Sequence, residues 1–315
     1  MSAVSEVKSR KRFPRISSSA FEHPLDRAAL DAVKKIPLID KIFTKMLELG
    51  FERIFRVRLM GMSVNVTPKQ CPKVYKLLKE ACDILDMHEP DLFLINHWTV
   101  NAWTFGVERP FIVLHSELVD LLTEEQLMGV IGHELGHIKA GHVLYRTIVY
   151  FLLEILLRNI PLGMSQLITQ GVLVALFEWA RKSELTADRA ELIVAQDVEV
   201  CLETHMKMTA GSKTIYNQLD HAEFLKQGAK YEELDHDMLN KFYKFFFELW
   251  LSHPLPVYRA KEIKDWSESK QYQEIMAGRY PTEEQNLNLR TCPHCGAKVS
   301  PNFFFCPDCG KNARM

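Results

Sequence analysis

The sequence lacks an excess of charge of either sign. Its 315 residues include 39 Lys and Arg against 40 Asp and Glu, which gives a formal net charge of −1. A protein that attracts nucleic acid through its overall field carries a strong basic excess, and this chain has none. Hydrophobic residues make up 47% and charged residues 25%, the balance of a folded protein. A disordered or fibrous chain is therefore excluded.

Cysteines are few, and their number is odd. Of the seven, Cys71, Cys82 and Cys201 are scattered along the chain, while the other four lie in its last 25 residues. A small secreted domain held by disulfides would show a dense, even set. This distribution excludes such a scaffold and indicates a metal site at the end of the chain.

A secretory signal and an unmistakable membrane span are also missing. Residues 1–20 are basic and rich in serine, and a polar segment follows where a signal peptide would need an apolar run. We expect a disordered basic tail over residues 1–20, with an anchor for acidic lipid as the alternative. The longest uncharged run, residues 159–177, is interrupted by Pro161 and Gly163. We expect a buried helical hairpin over residues 143–180 and a cytoplasmic protein. Membrane docking or insertion of that hairpin remains the alternative.

Apolar periodicity predicts a predominantly helical α+β fold with a small sheet. The sequence divides into a tail (1–20), a main domain (21–277), a polar linker (278–290) and a terminal module (291–315). Within the main domain we predict helices over 24–50 and 72–87, strands over 53–66, 92–95 and 111–114, and mostly helix over 123–276.

The strongest motif is His133-Glu134-Leu135-Gly136-His137. Two histidines at i and i+4 project from one helix face and can share a Zn²⁺ ion. Glu134 can then reach a water on the metal without binding the metal, which is the position of a general base.

The flanking residues favour a helix around this motif. Thr123 and Gln126 form a capping-box pattern at its start. Gly129, Gly132 and Gly136 each cost about 1 kcal/mol against alanine inside a helix. Their spacing places them on one stripe, so we predict a close backbone approach there.

A catalytic zinc site needs a third protein ligand. Glu184 and Asp188, again at i and i+4, lie downstream of the first motif. Glu184 can be the third ligand, and Asp188 can accept the other ring N–H of a ligating histidine. Alone, such a carboxylate pair is more typical of a solvated helix face.

These motifs resemble the HtpX-like family of zinc metalloendopeptidases, relatives of the CAAX-processing proteases within the gluzincin group. The resemblance covers roughly residues 50–265. It rests on four segments in order: Asn101-Ala102-Trp103, His133–His137, Glu184–Asp188, and His253-Pro254 followed by Arg259. It implies a zincin-like metallopeptidase domain with a small antiparallel or mixed sheet.

The resemblance also implies roles for individual residues. His133, His137 and Glu184 would bind zinc, Glu134 would activate water, and Asp188 would hold His133. His253 would stabilise the oxyanion, and Asn101 and Ala102 would contact substrate on an edge strand. Arg259 would contact substrate or orient a carboxylate.

The terminal module carries two Cys-x-x-Cys-Gly knuckles. Cys292, Cys295, Cys306 and Cys309 offer four thiolates to a second, structural Zn²⁺, a pattern typical of a zinc ribbon. We expect this ribbon to dock on a protein or on the main domain, and nucleic acid is disfavoured by the neutral overall charge.

Two functions remain open from the sequence. The first is a zinc endopeptidase acting on peptides or unfolded proteins, with one catalytic and one structural zinc. The alternative is a catalytically silent or latent scaffold or chaperone-like protein that binds partners through the ribbon. The intact Glu134 favours the first, because a scaffold needs no general base.

Overall fold

A computed structural model describes residues 10–36, 39–107, 109–158, 170–212, 214–234, 255–283 and 290–299. Helices predominate in these ranges, as the sequence predicts. They are α1 (Pro24–Lys34), α2 (Ile39–Glu48), α3 (Phe51–Met62), α4 (Pro72–Leu85), α5 (Ser116–Leu121), α6 (Glu124–Lys139), α7 (Val143–Arg158), α8 (Gln170–Ala195), α9 (Val198–Ala210), α10 (His221–Glu233), α11 (Pro256–Ser267) and α12 (Lys270–Met276).

A small mixed sheet lies beside these helices. Its strands are β1 (Val64–Asn65), β2 (Asp91–Ile95), β3 (Ala102–Phe105) and β4 (Phe111–His115), in the order β1-β2-β4-β3. β2 and β4 run parallel, while β1 and β3 pair antiparallel with their neighbours. β4 is central and buried along its whole length, as a strand covered on both faces must be. The predicted strands over 92–95 and 111–114 are confirmed. In this order β3 is one of the two outer strands, and β1 is the other.

The main core surrounds α6. Leu127, Ile131 and Leu135 are buried in it, as the predicted apolar stripe requires. Thr123 and Gln126 form the predicted capping box, in which each side chain binds the other residue's backbone N–H. α6 packs against α4 on one side and α8 on the other. The motif helix is therefore held on several sides.

The predicted strand over residues 53–66 is wrong for most of its length, because Phe51–Met62 forms helix α3. Phe51, Phe55 and Leu59 recur every four residues and pack on the aromatic side chains of the sheet. This helical spacing outweighs the alternation of charged and apolar residues that suggested a strand. Only Val64–Asn65 adopts strand structure.

The predicted helix over 24–50 consists of two helices, α1 and α2. Its predicted end is confirmed, because α2 stops at Glu48 and Gly50 takes the left-handed conformation (φ 61°) between α2 and α3. α1 and α2 form a second core with α7 and α8, in which Ile42, Leu152, Leu176 and Trp179 are buried. The described parts of segment 143–180 thus bury apolar faces within the protein. Among the described residues no helix is long and apolar enough to cross a membrane.

The predicted tail over 1–20 is not solvated from residue 10 onward. Phe13 and Ile16 are fully buried, and the backbone N–H of Phe13 donates to the carbonyl of Ile84 at 3.0 Å. Ile16 forms an antiparallel bridge with Thr282 in the predicted linker. Apolar residues between the basic ones outweigh the charge, so this arm packs on the domain. Residues 1–9 and 284–289 lie outside the described residues.

The first cysteine knuckle of the terminal module is described. β5 (Arg290–Thr291) and β6 (Lys298–Val299) form an antiparallel pair that encloses Cys292 and Cys295. Gly296 has φ 77°, a conformation that glycine adopts without strain. Cys306 and Cys309 lie outside the described residues, so the four-thiolate ribbon stays a prediction.

Candidate metal centre

The site is built where α6 crosses α8, and glycines set the distance between the two helices. A Cβ atom on Gly132 would lie 2.7 Å from Cβ of Val194, and one on Gly136 would lie 2.6 Å from Cβ of Ala190. Real Cβ atoms do not come so close, so only glycine allows this approach. The predicted close contact of the glycine stripe is confirmed, and it brings the carboxylates of α8 to the histidines of α6.

His133, His137 and Glu184 meet at this crossing, and all three are buried. Nε2 of His133 lies 3.3 Å from Oε2 of Glu184, and Nε2 of His137 lies 3.3 Å from Oε1. Ligands about 2.1 Å from a tetrahedral zinc ion are separated by about 3.4 Å. Two imidazole nitrogens and a carboxylate at this spacing fit such an ion.

The two histidines differ in protonation. Burial opposes the charge on His133, but hydrogen bonds to Asp188 and Glu184 raise its pKa to about 10. Burial and the nearby Arg146 guanidinium lower the pKa of His137 well below its usual range. The charged imidazolium is therefore favoured at His133 and the neutral ring at His137, and a divalent cation bound to Nε2 of His133 would displace the proton there.

Asp188 holds His133 from behind, as the sequence predicts. Oδ1 of Asp188 lies 3.0 Å from Nδ1 of His133. Arg259 in turn donates from Nε to Oδ2 of Asp188 at 2.8 Å, and its Nη1 lies 3.2 Å from Oε2 of Glu184. Of the two roles predicted for Arg259, the guanidinium contacts match the orientation of carboxylates. The predicted substrate contact stays untested.

Asp188 also belongs to a second group, with His133 and Glu191, whose atoms could converge on a cation. Nη2 of Arg259 donates to Oδ1 of Asp188 at 2.5 Å and Nε donates to Oδ2, so both carboxylate oxygens are engaged by a cation already. The first group instead offers two imidazole nitrogens and one carboxylate, the donor set that suits Zn²⁺, and is therefore the better candidate for the metal site.

Glu134 is buried beside the metal ligands and faces the sheet. The hydroxyl of Thr104, on β3, donates a short hydrogen bond to Oε2 of Glu134. Thr104 is a residue that sequence reasoning missed, and its position three residues after Asn101 gave no signal. The predicted Asn101 directly precedes β3 and the predicted Ala102 begins it, so the strand next to these residues also orients Glu134.

Arg146 of α7 is a second missed residue. Its buried Nη1 donates to Oε1 of Glu184 at 2.5 Å and lies 3.2 Å from Nε2 of His137. The only signal in the sequence was a cation within a strongly apolar helix, since a buried arginine requires a partner. Its charge offsets that of the buried Glu184 carboxylate.

A buried polar chain behind His137 was missed as well. Nδ1 of His137 lies 3.0 Å from Nδ1 of His142, and Nε2 of His142 lies 2.9 Å from Oδ2 of Asp26. Trp179 and Thr186 donate to the same Asp26 carboxylate. Burial alone would raise the pKa of Asp26, but His142 and these donors lower it. Asp26 lies about 110 residues from the motif, which hid the contact.

A cavity of about 290 Å³ opens beside these residues. Its lining includes the segment before and within β3, the side chains of His133 and Glu134, and residues of α8, α9 and α11. Asn101, Ala102 and Arg259 all line it, so the predicted substrate residues lie together with the predicted base. His253 lies outside the described residues, and its predicted role stays a prediction.

Comparison with known proteins matches this chain to a peptidase family. A family model described as peptidase family M48 matches residues 68–267. The plastoglobule-localized metallopeptidase 48, chloroplastic, of Arabidopsis thaliana is 34% identical over 266 residues, which cover 84% of this chain and 77% of that protein. A protease HtpX homolog of Streptococcus pyogenes is 28% identical over 101 residues, 30% of this chain and 34% of that protein. No solved structure matches.

Proposed function

Because this chain belongs to peptidase family M48 and is a metallopeptidase by that membership and by its relatives, we propose that it is a zinc-dependent endopeptidase. The observation that carries the proposal is the buried convergence of His133, His137 and Glu184 beside the carboxylate of Glu134. The substrates we propose are peptides and unfolded proteins, because an extended chain can add to the outer strand β3.

In this proposal His133, His137 and Glu184 hold the zinc ion. Zinc bound there would polarise the scissile carbonyl and lower the pKa of a water molecule toward 7. Asp188 fixes the ring of His133 so that Nε2 faces Glu184, and Arg259 fixes Asp188.

Glu134 acts as general base and then as general acid. Its carboxylate takes a proton from the attacking water and passes it to the nitrogen of the leaving amine. The Thr104 hydroxyl holds Oε2, which leaves the rest of the carboxylate to face the reacting water. His253 is the group we expect to stabilise the oxyanion.

Cleavage of casein by wild type and Glu134→Gln tests the proposal. We expect wild-type cleavage to stop on chelation, and the variant to keep its catalytic zinc while losing at least about 100-fold in rate. Glu199→Gln, which changes an exposed glutamate on α9, is the matched control. Full cleavage by Glu134→Gln would refute the role of Glu134.

The alternative, a silent or latent scaffold of the same fold, predicts bound zinc without cleavage. Wild type and Glu134→Gln would then behave alike with every substrate. A comparison of cleaved peptides across a whole proteome, with and without this substitution, separates the two functions even where the substrate range is narrow.

The terminal module and the location of the protein complete the proposal. We propose that Cys292, Cys295, Cys306 and Cys309 hold a second, structural zinc in a ribbon that docks on protein. The name of the Arabidopsis relative places that protein at chloroplast plastoglobules. The cytoplasmic location and the membrane contact through residues 143–180 stay proposals for this chain.

A further inference from the structure

The cavity beside Glu134 contains ionisable groups that peptide-bond hydrolysis does not use. Val100, Val130 and Met208 contribute apolar lining, while Glu191 of α8 and His205 of α9 contribute polar groups. A volume of about 290 Å³ is roughly ten times that of one water molecule. The cavity can therefore receive a long side chain.

Glu191 is an incompletely satisfied carboxylate in this lining. Only 2% of the residue is exposed. Oε2 lies 3.4 Å from Nε2 of His205, whereas Oε1 is buried and has no hydrogen-bond partner among the described residues. A buried carboxylate oxygen without a donor is costly, and native proteins rarely leave one so unless a ligand or water completes it.

The neighbouring cations do not supply the missing donor. Arg259 also lines the cavity, but its hydrogen bonds go to Asp188 and its Nη1 faces Glu184. His205 lies near Oε2 of Glu191 and 3.8 Å from Asp188. The carboxylates of Asp188 and Glu191 thus face one arginine and one histidine, and the buried thiol of Cys201 is a further hydrogen-bond neighbour of Glu191. Oε1 of Glu191 still has no hydrogen-bond partner among the described residues.

We infer that this cavity receives a basic side chain of the substrate peptide and that Glu191 selects it. The inference rests on the proposed endopeptidase function. A lysine or arginine side chain has an apolar stem for Val100, Val130 and Met208, and donors at its end for Oε1 of Glu191.

Peptides that differ in one residue test this. Lysine, arginine, glutamine or norleucine, which copies the lysine stem without its ammonium group, is placed in turn at each position on either side of the cleaved bond. We expect wild type to prefer the basic peptides over norleucine by at least about tenfold in kcat/KM at one position. Glu191→Gln should remove most of that preference and keep norleucine cleavage within about threefold of wild type. Glu199→Gln, which changes an exposed side chain on α9, should retain the preference.

Binding of the same peptides to the Glu134→Gln protein gives a second readout. We expect the lysine peptide to bind more tightly than the norleucine peptide, and the added substitution Glu191→Gln to cancel the difference. Equal cleavage of all peptides by wild type would overturn the role of Glu191 and leave the endopeptidase function intact. Lysine-selective binding without cleavage would overturn the function but support the cavity. Failure to bind or cleave any peptide would overturn both.

Discussion

The glycine stripe of α6 allows a stability prediction worked from three distances. Alanine at Gly132 would place Cβ 2.7 Å from Cβ of Val194, whereas the Cβ of alanine at Gly129 would have its nearest contact at 3.4 Å, with Cγ of Glu191. Alanine gains about 1 kcal/mol of helix propensity over glycine at either position. Overpacking at Gly132 costs about 1–3 kcal/mol. We expect Gly129→Ala to be up to about 1 kcal/mol more stable than wild type, and Gly132→Ala to be up to about 2 kcal/mol less stable.

The same clash should reach the metal centre. Carbon atoms pack at about 3.5–4.0 Å, so α6 and α8 must separate by about 1 Å to admit the Gly132→Ala methyl group. Metal sites tolerate changes of about 0.2 Å in ligand distance. Because Glu184 lies on α8 and both histidines lie on α6, zinc affinity should fall in Gly132→Ala. It should also fall in Gly136→Ala, where the nearest Cβ lies at 2.6 Å.

Urea unfolding and zinc competition against a chelator measure the two effects. Gly129→Ala is the matched control, since it makes the same chemical change on the same helix. The reasoning is refuted if Gly129→Ala and Gly132→Ala change stability equally. It is also refuted if Gly132→Ala keeps wild-type stability and zinc affinity.

Three further predictions concern other parts of the molecule. Asp26→Asn should weaken zinc binding by about 10–100-fold through His137. Folding lowers the pKa of Asp26, so its carboxylate stabilises the folded protein above about pH 4, and this stabilisation is lost as the pH falls through the pKa of the folded state. The free energies of unfolding of the variant and of wild type, measured across pH, should therefore converge in acid. Thr104→Val should lower kcat about tenfold at unchanged zinc content, since the hydroxyl orients Glu134; steady-state kinetics with metal analysis would contradict this if kcat stays constant. Metal analysis of wild type should give about two zinc ions per chain and of Cys292→Ser about one, and an unchanged count would remove the ribbon site.

The parts of the site that the sequence predicts are those whose residues recur at helical spacing within one segment. The i, i+4 spacing of His133 and His137, the capping box and the glycine stripe each follow from helix geometry alone, and each is found in α6. Glu184 became a candidate only through its pairing with that motif. Chemistry and helical period together were enough to predict the three side chains that the structure brings together as the candidate metal site.

The parts that escaped prediction depend on contacts between distant segments. Thr104, Arg146 and Asp26 reach the centre from three different elements, and no spacing in the sequence links them to it. Helix α3 escaped for another reason. The alternation of charged and apolar residues over 53–59 suggested a strand. The four-residue spacing of Phe51, Phe55 and Leu59, which pack against the aromatic residues of the sheet, was the helical signal that was given too little weight.

The residues of the candidate metal centre and their supports are far apart in the sequence, and this has a consequence for folding during synthesis. Asp26 near the start supports His137, while Arg259 near the end fixes Asp188, and the arm at Ile16 pairs with Thr282. Such distant pairings form late in folding. A nascent chain that has emerged only as far as α8 already carries His133, His137 and Glu184 but lacks Arg259, which contacts Glu184 and Asp188. The candidate metal centre can therefore be completed only when nearly the whole main domain has left the ribosome.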